Sequence, residues 1–130
     1  MKKSKILLIE DDRPTIDIYK TAFEFSGFDI DIVDLGERAI DTVKKIEEGK
    51  KLPPDLIMLD LILPDMSGVD ILKEIKKGEK TKKIPVFVFS NYADSELEKM
   101  DKEKKPDKII LKTNHSPMEI VEMVKKGIEK

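Results

Sequence analysis

Short apolar runs recur along the chain, and each stops at a polar residue. Ile6-Leu7-Leu8-Ile9 gives way to Glu10-Asp11-Asp12, and Leu56-Ile57-Met58-Leu59 to Asp60. Val86-Phe87-Val88-Phe89, opened by Pro85, stops at Ser90, and Ile109-Ile110-Leu111 stops at Lys112. Continuous apolar runs of this length mark strands buried on both faces. Asp29-Ile30-Asp31-Ile32-Val33 differs by alternating polar with apolar. That alternation predicts a half-exposed strand, and its outward carboxylates suit a sheet edge.

The segments between these runs carry helical periodicity. Arg13-Pro14 opens a helix to about Ser26, with proline in the first turn and Gly27 at its end. Ile16, Tyr19 and Phe23 form its apolar face, with Ala22 and Phe25 expected to widen it. A second helix runs from Gly36 to near Gly49 on Ala39, Ile40, Val43 and Ile46. A third starts at Ser67 as N-cap, packs Val69, Leu72 and Ile75, and closes at Gly78. A weaker helix is expected over about 94–101, anchored by Leu97 and Met100. Ser116-Pro117-Met118-Glu119 is a capping box with proline at the first helical position, ahead of Ile120, Val121, Val124 and Ile128. Five strands alternating with helices predict an α/β fold: a doubly wound five-stranded parallel sheet with helices on both faces. One domain is expected over residues 1–130, with nothing marking a second.

Composition narrows the chemistry. Charged residues make up 40% of the chain, yet the net charge is only −2 with both signs interspersed, which argues against nucleic-acid binding driven by bulk charge. There is no cysteine, so disulfides, thiolate catalysis and cysteine-ligated metals are excluded. A lone His115 cannot supply a multi-histidine metal site, and it reads as a surface loop residue. The apolar run near the N-terminus is too short for a signal peptide or membrane span, so a cytoplasmic, non-membrane protein is expected.

In an open doubly wound sheet, ligands bind outside the carboxyl ends of the strands, where strand order reverses. With the order 2-1-3-4-5, that crevice lies between strands one and three. Asp11 and Asp60 then sit side by side, flanked by Ser90 and Lys112. Crowded carboxylates repel, so one keeps a proton or a cation joins them. An oxygen-only donor set favours a hard divalent ion such as Mg²⁺. A divalent cation, an ammonium and a hydroxyl together can hold a phosphoryl group. The carboxylate facing the phosphorus is then a nucleophile, and its product is an aspartyl phosphate.

At this point the chain resembles the receiver domains of two-component response regulators, from Lys5 to the last helix. The motifs are Ile-Leu-Leu-Ile-Glu-Asp-Asp, Leu-Ile-Met-Leu-Asp-Leu-Ile-Leu-Pro-Asp-Met-Ser-Gly, Val-Phe-Val-Phe-Ser-Asn and Ile-Ile-Leu-Lys, in that order. The resemblance implies the flavodoxin-like receiver fold, of a stand-alone single-domain type. It implies Asp60 as phosphoacceptor, Ser90 as switch hydroxyl and Lys112 as phosphate-binding lysine. It implies Mg²⁺ held by Asp11 and Asp60, by the Ile62 backbone carbonyl and by Glu10 through water. A sensor histidine kinase or phosphotransfer protein would be the donor, and a downstream protein the target of a monomer or weak dimer. Such a protein is a phosphoacceptor that promotes its own phosphorylation and dephosphorylation, not an enzyme acting on others. Some positions depart from the family pattern. Thr113 stands where proline usually follows the lysine, Ile109 where an aromatic usually sits, and Asn91 where a small residue follows Ser90. The usual Gly-Ala before strand five is missing, and the segment from Glu47 to Pro54 is longer than usual.

Each chosen residue also has a plainer reading. Asp60 could be a loop-facing strand end, Ser90 incidental, and Lys112 one lysine among many. Asp12 reads better as a helix cap than as a ligand. A receiver fold acting as a phosphorylation-independent interaction module is the alternative function. A haloacid-dehalogenase-type phosphatase would need a second Asp at position 62, which is Ile62. A flavodoxin would place a hydroxyl- and glycine-rich loop where Glu10-Asp11-Asp12 stands. Bulky Ile62 and Tyr92 are expected to border the path of an attacking water and slow self-dephosphorylation.

Overall fold

The computed structural model describes residues 3–91, Leu97 and residues 100–129. Strands β1 (Lys5–Ile9), β2 (Asp29–Val33), β3 (Leu56–Asp60), β4 (Val86–Ser90) and β5 (Lys108–Leu111) form one sheet. Their order is β2-β1-β3-β4-β5, and every neighbouring pair is parallel. The described helices are α1 (Arg13–Phe25), α2 (Gly36–Glu47), α3 (Gly68–Lys77) and α4 (Pro117–Ile128). The helix expected over about 94–101 falls largely outside the described residues. Both of its expected anchors are described: Leu97 is buried in the core and Met100 packs against it.

The period-two side-chain rule divides the apolar runs between two cores. Leu7, Ile9, Ile57, Leu59, Val86 and Val88 face α2 and α3. Ile6, Leu8, Leu56, Met58, Phe87 and Phe89 face Tyr19 and Phe23 of α1 and Ile120, Val121 and Val124 of α4. Aromatic edges fill this second side: Tyr19 meets Phe89 at 5.5 Å and Phe23 meets Phe28 at 5.3 Å between ring centroids. Phe25 corrects the expectation for α1: it is 85% exposed. Ile16, Tyr19, Ala22 and Phe23 already fill the buried face, which leaves Phe25 on the opposite side of the helix.

The helix starts follow the local sequence. The Asp12 carboxylate accepts from Thr15 N at 3.1 Å, and the Ser67 hydroxyl from Val69 N at 3.1 Å. Ser116 and Glu119 exchange both bonds of their capping box. Helix α1 ends ahead of Gly27, whose φ of 90° is the left-handed region that glycine reaches without steric cost.

Two contacts fix where the strand ends lie. Asp107 Oδ1 accepts from both Val86 N at 3.0 Å and Lys76 Nζ at 3.1 Å, while its own N–H donates to Val86 O. This clamp seats the start of β5 on β4, and therefore sets where Lys112 leaves the strand. At β3, Gly68 N donates to Leu61 O at 2.7 Å, bringing α3 hard against the strand end. A Cβ at residue 68 would run into the Asp60 carbonyl oxygen and lie 2.6 Å from Leu61 Cα. Both obstacles are backbone, which cannot rotate away. Gly68→Ala is therefore expected to lower unfolding free energy by about 1–3 kcal/mol, measured by urea denaturation. An unchanged midpoint would show that α3 does not approach β3 this closely.

Candidate phosphoacceptor site

Glu10, Asp11, Asp60, Ser90 and Lys112 all stand at the carboxyl ends of their strands. Register places them together. Ile9 pairs with Leu59, so Glu10 follows alongside Asp60; Asp60 pairs with Phe89, and Ser90 with Leu111. The crevice between β1 and β3 anticipated from strand order is present, and the carboxylates meet in it. One oxygen from each of Glu10, Asp11 and Asp60 lies within 4.8 Å of the other two. Glu10, Asp60 and Ser90 are buried and Asp11 is exposed, so the cluster opens to solvent on the Asp11 side.

Lys112 closes the cluster from the other side. Its Nζ donates to Glu10 Oε1 at 2.7 Å and to Asp60 Oδ2 at 3.5 Å. The same ammonium sits 4.6 Å from the centroid of the Phe89 ring, a cation–π contact. The remaining carboxylate oxygens take backbone donors. Glu10 Oε2 accepts from Asp11 N at 3.0 Å and Asp12 N at 3.3 Å, and Asp60 Oδ1 accepts from Ile62 N at 3.3 Å. Glu10 is thus tied directly to Lys112. Sequence reasoning gave Glu10 a water-mediated role at the metal and Lys112 a role toward phosphate, with no direct contact between the two. The pairing depends on which rotamer a long side chain adopts across the sheet, and no local motif records it.

Three carboxylates against one ammonium leave two negative charges in a largely buried space. That donor set fits a divalent cation taking oxygen ligands. Burial first, then Asp60, push the Glu10 carboxyl up to about 7, with Lys112 opposing. Asp11 is raised too, by desolvation first and then by the Glu10 and Asp12 charges. Asp12 goes the other way, held low by the Thr15 hydroxyl and N–H it caps, and so belongs to the helix. Ile62, two residues past Asp60, is 58% exposed and forms a bridge with Ser67 that closes the β3–α3 loop. Thr113 falls in a short 3₁₀ turn, Lys112–Asn114, and no peptide bond among the described residues is cis. Ile109 is 47% exposed, Asn91 is exposed, and Tyr92 lies outside the described residues.

Sequence reasoning missed Asp65. The residue before α2 is Leu35, which has no side chain able to cap. Asp65 supplies the cap from the β3–α3 loop: Oδ1 accepts from Gly36 N and Oδ2 from Glu37 N, both at 2.8 Å. The Glu37 and Gly36 N–H groups hold its carboxyl below the ordinary value. The one available signal was negative, a helix start with no N-cap residue of its own.

The raised Glu10 has a sign that can be checked. Its folded-state value of about 7 exceeds the ordinary 4.5, so between the two the folded protein keeps a proton the unfolded chain has released. The stabilisation is complete below about pH 4.5 and is lost as pH rises through about 7. Carboxylates held low, Asp12, Glu47, Asp65 and Glu119, act below this window. In Mg²⁺-free buffer, the urea midpoint is expected to fall from pH 5 to pH 8, and Glu10→Gln to flatten that slope. An identical slope in the variant would assign the pH dependence to another group.

Residues 6–126 match the family model described as response regulator receiver domain. The cell cycle transcriptional regulator CtrA of Caulobacter vibrioides is 36% identical over 93 residues, covering 72% of this chain and 38% of that protein. The chain therefore spans well under half the length of that relative. Among solved structures, the phosphorylated cyanobacterial phytochrome response regulator RcpA superposes with a TM-score of 0.77 at 28% identity, over 98% of this chain and 92% of that one. A CheY-like receiver domain protein from Methanospirillum hungatei JF-1 gives a TM-score of 0.77 at 25% identity, over 98% and 95%. With the sheet order, the acidic crevice and the lysine that closes it, these likenesses make one statement: the chain belongs to the response regulator receiver domain family of two-component signalling.

Proposed function

We propose that Asp60 accepts a phosphoryl group from a sensor histidine kinase or phosphotransfer protein, and that the phosphorylated domain changes its contacts with a downstream protein. The observation that carries this reading is the buried Asp60 carboxylate, grouped with Glu10 and Asp11 and reached by Lys112. That RcpA, a relative in fold and sequence, is a phosphorylated protein supports it. Asp60 attacks phosphorus; the phosphorus–nitrogen bond to the donor histidine breaks, a phosphorus–oxygen bond forms, and the imidazole takes a proton. Lys112 pairs with a phosphoryl oxygen, exchanging carboxylate partners for phosphate ones. The Ser90 hydroxyl donates to another oxygen and links the new group to β4.

Asp11, Asp60 and the Ile62 carbonyl would hold Mg²⁺, with Glu10 assisting through water. Such an ion would supply positive charge against the oxygens of the transferring phosphoryl group. The domain acts as a phosphoacceptor and not as an enzyme on other substrates. No described helix is long and apolar enough to cross a membrane, which suits a cytoplasmic role. The absence of a nucleic-acid partner fits a net charge of −2 with both signs interspersed, and a monomer or weak dimer is proposed with it. The alternative, a phosphate-independent interaction module, leaves the clustering of like charges without a purpose.

Incubation with acetyl phosphate and Mg²⁺ is expected to add one phosphoryl group to the wild type, seen by mass spectrometry. Asp60→Asn, or EDTA in place of Mg²⁺, is expected to abolish it. Equal labelling of the variant would remove Asp60 from the role. Ile62 is expected to hinder the attacking water, giving a phosphoryl half-life of minutes or longer. Decay within seconds would show that Ile62 does not restrict water.

A further inference from the structure

The loop from Leu61 to Ser67 carries the Ile62 carbonyl, and it is held at more than its two ends. Inside, Ile62 bridges Ser67 and Gly68 N binds Leu61 O. Outside, it is strapped to a helix that contributes nothing to the acidic cluster. Asp65 takes the N–H groups of the first two residues of α2, and the Met66 side chain lies against Gly36. A Cβ at residue 36 would collide with Met66 Cγ and lie 2.6 Å from its sulfur, so a side chain there would force Met66 to move. The strap joins residues 28 and 29 positions apart in sequence.

We infer that Asp65 is a positioning residue for the cation: by pinning the β3–α3 loop to α2, it holds the Ile62 carbonyl where the metal takes it. This rests on the metal reading proposed above. The strap is bidentate, and each oxygen accepts from one N–H at 2.8 Å. Both partners belong to a helix end fixed on the core by Ala39 and Val43. A loop fixed before the ion arrives loses little freedom on binding, so affinity gains what ordering would otherwise cost. Coupling of this kind is reciprocal, so a bound ion in turn steadies the start of α2.

Isothermal titration of Mg²⁺ into the full chain tests this directly, with no phosphorylation involved. Asp65→Ala is expected to weaken Mg²⁺ binding about fivefold or more. Asp65→Asn keeps one acceptor for the two N–H groups and is expected to fall between it and the wild type. Glu47→Ala is the structural control. Glu47 accepts from Lys80 N and Thr81 N at the other end of α2, so its loss should lower Tm while leaving Mg²⁺ affinity within twofold. In the wild type alone, Mg²⁺ is expected to slow hydrogen exchange of the Gly36 and Glu37 amides at least twofold. Wild type that takes up no Mg²⁺ overturns the metal reading and this inference with it. Wild type that binds beside an Asp65→Ala that binds equally well overturns this inference alone. So does a Glu47→Ala variant that loses as much affinity, or exchange at Gly36 and Glu37 that ignores the ion.

Discussion

The site depends on one ammonium placed between two carboxylates. Lys112 Nζ lies 2.7 Å from Glu10 and 3.5 Å from Asp60, and without it three acidic groups would crowd together at the carboxyl ends of β1 and β3. Burying such charges is costly, and one lysine offsets only part of that cost. The residual imbalance appears in Glu10, whose carboxyl rises to about 7. The site is therefore held in deficit of positive charge, and either a proton or a divalent cation would relieve it.

The rest of the fold positions that lysine and those carboxylates. Parallel strands deliver every strand end to the same side of the sheet. Asp107 seats β5 on β4 and so fixes the departure point of Lys112. Phe89 offers a ring face on which the ammonium rests. Gly68 allows α3 to press against the Asp60 backbone. The two apolar clusters pack against β3 from either face.

Most of this was legible in the sequence, for a physical reason. Runs such as Ile6–Ile9 and Leu56–Leu59 are local signals, and topology follows from their alternation with helices. The caps Asp12, Ser67 and Ser116 are local as well, and all three were readable. What escaped is what depends on distance in sequence. Asp65 caps a helix 28 and 29 residues earlier, and Glu10 finds Lys112 across 102 residues. Phe25 was misplaced because helical period alone cannot say where a buried face stops widening. That limit is set by the sheet beneath α1, which Tyr19 and Phe23 already cover.

The register of β3 carries a consequence for how such a chain can change. Met58 and Asp60 share one face of the strand, and Ile57 and Leu59 share the other. A one-residue deletion within the strand would swap the faces. It would turn Leu59 toward the crevice and carry the acceptor out of line with Glu10 and Phe89. The same lesion would misfit both cores at once. A change of length escapes that penalty only outside the strands, as in residues 48–55 between α2 and β3. Loops in this chain can drift in length, while the acceptor's address is written in whole-residue steps of the sheet.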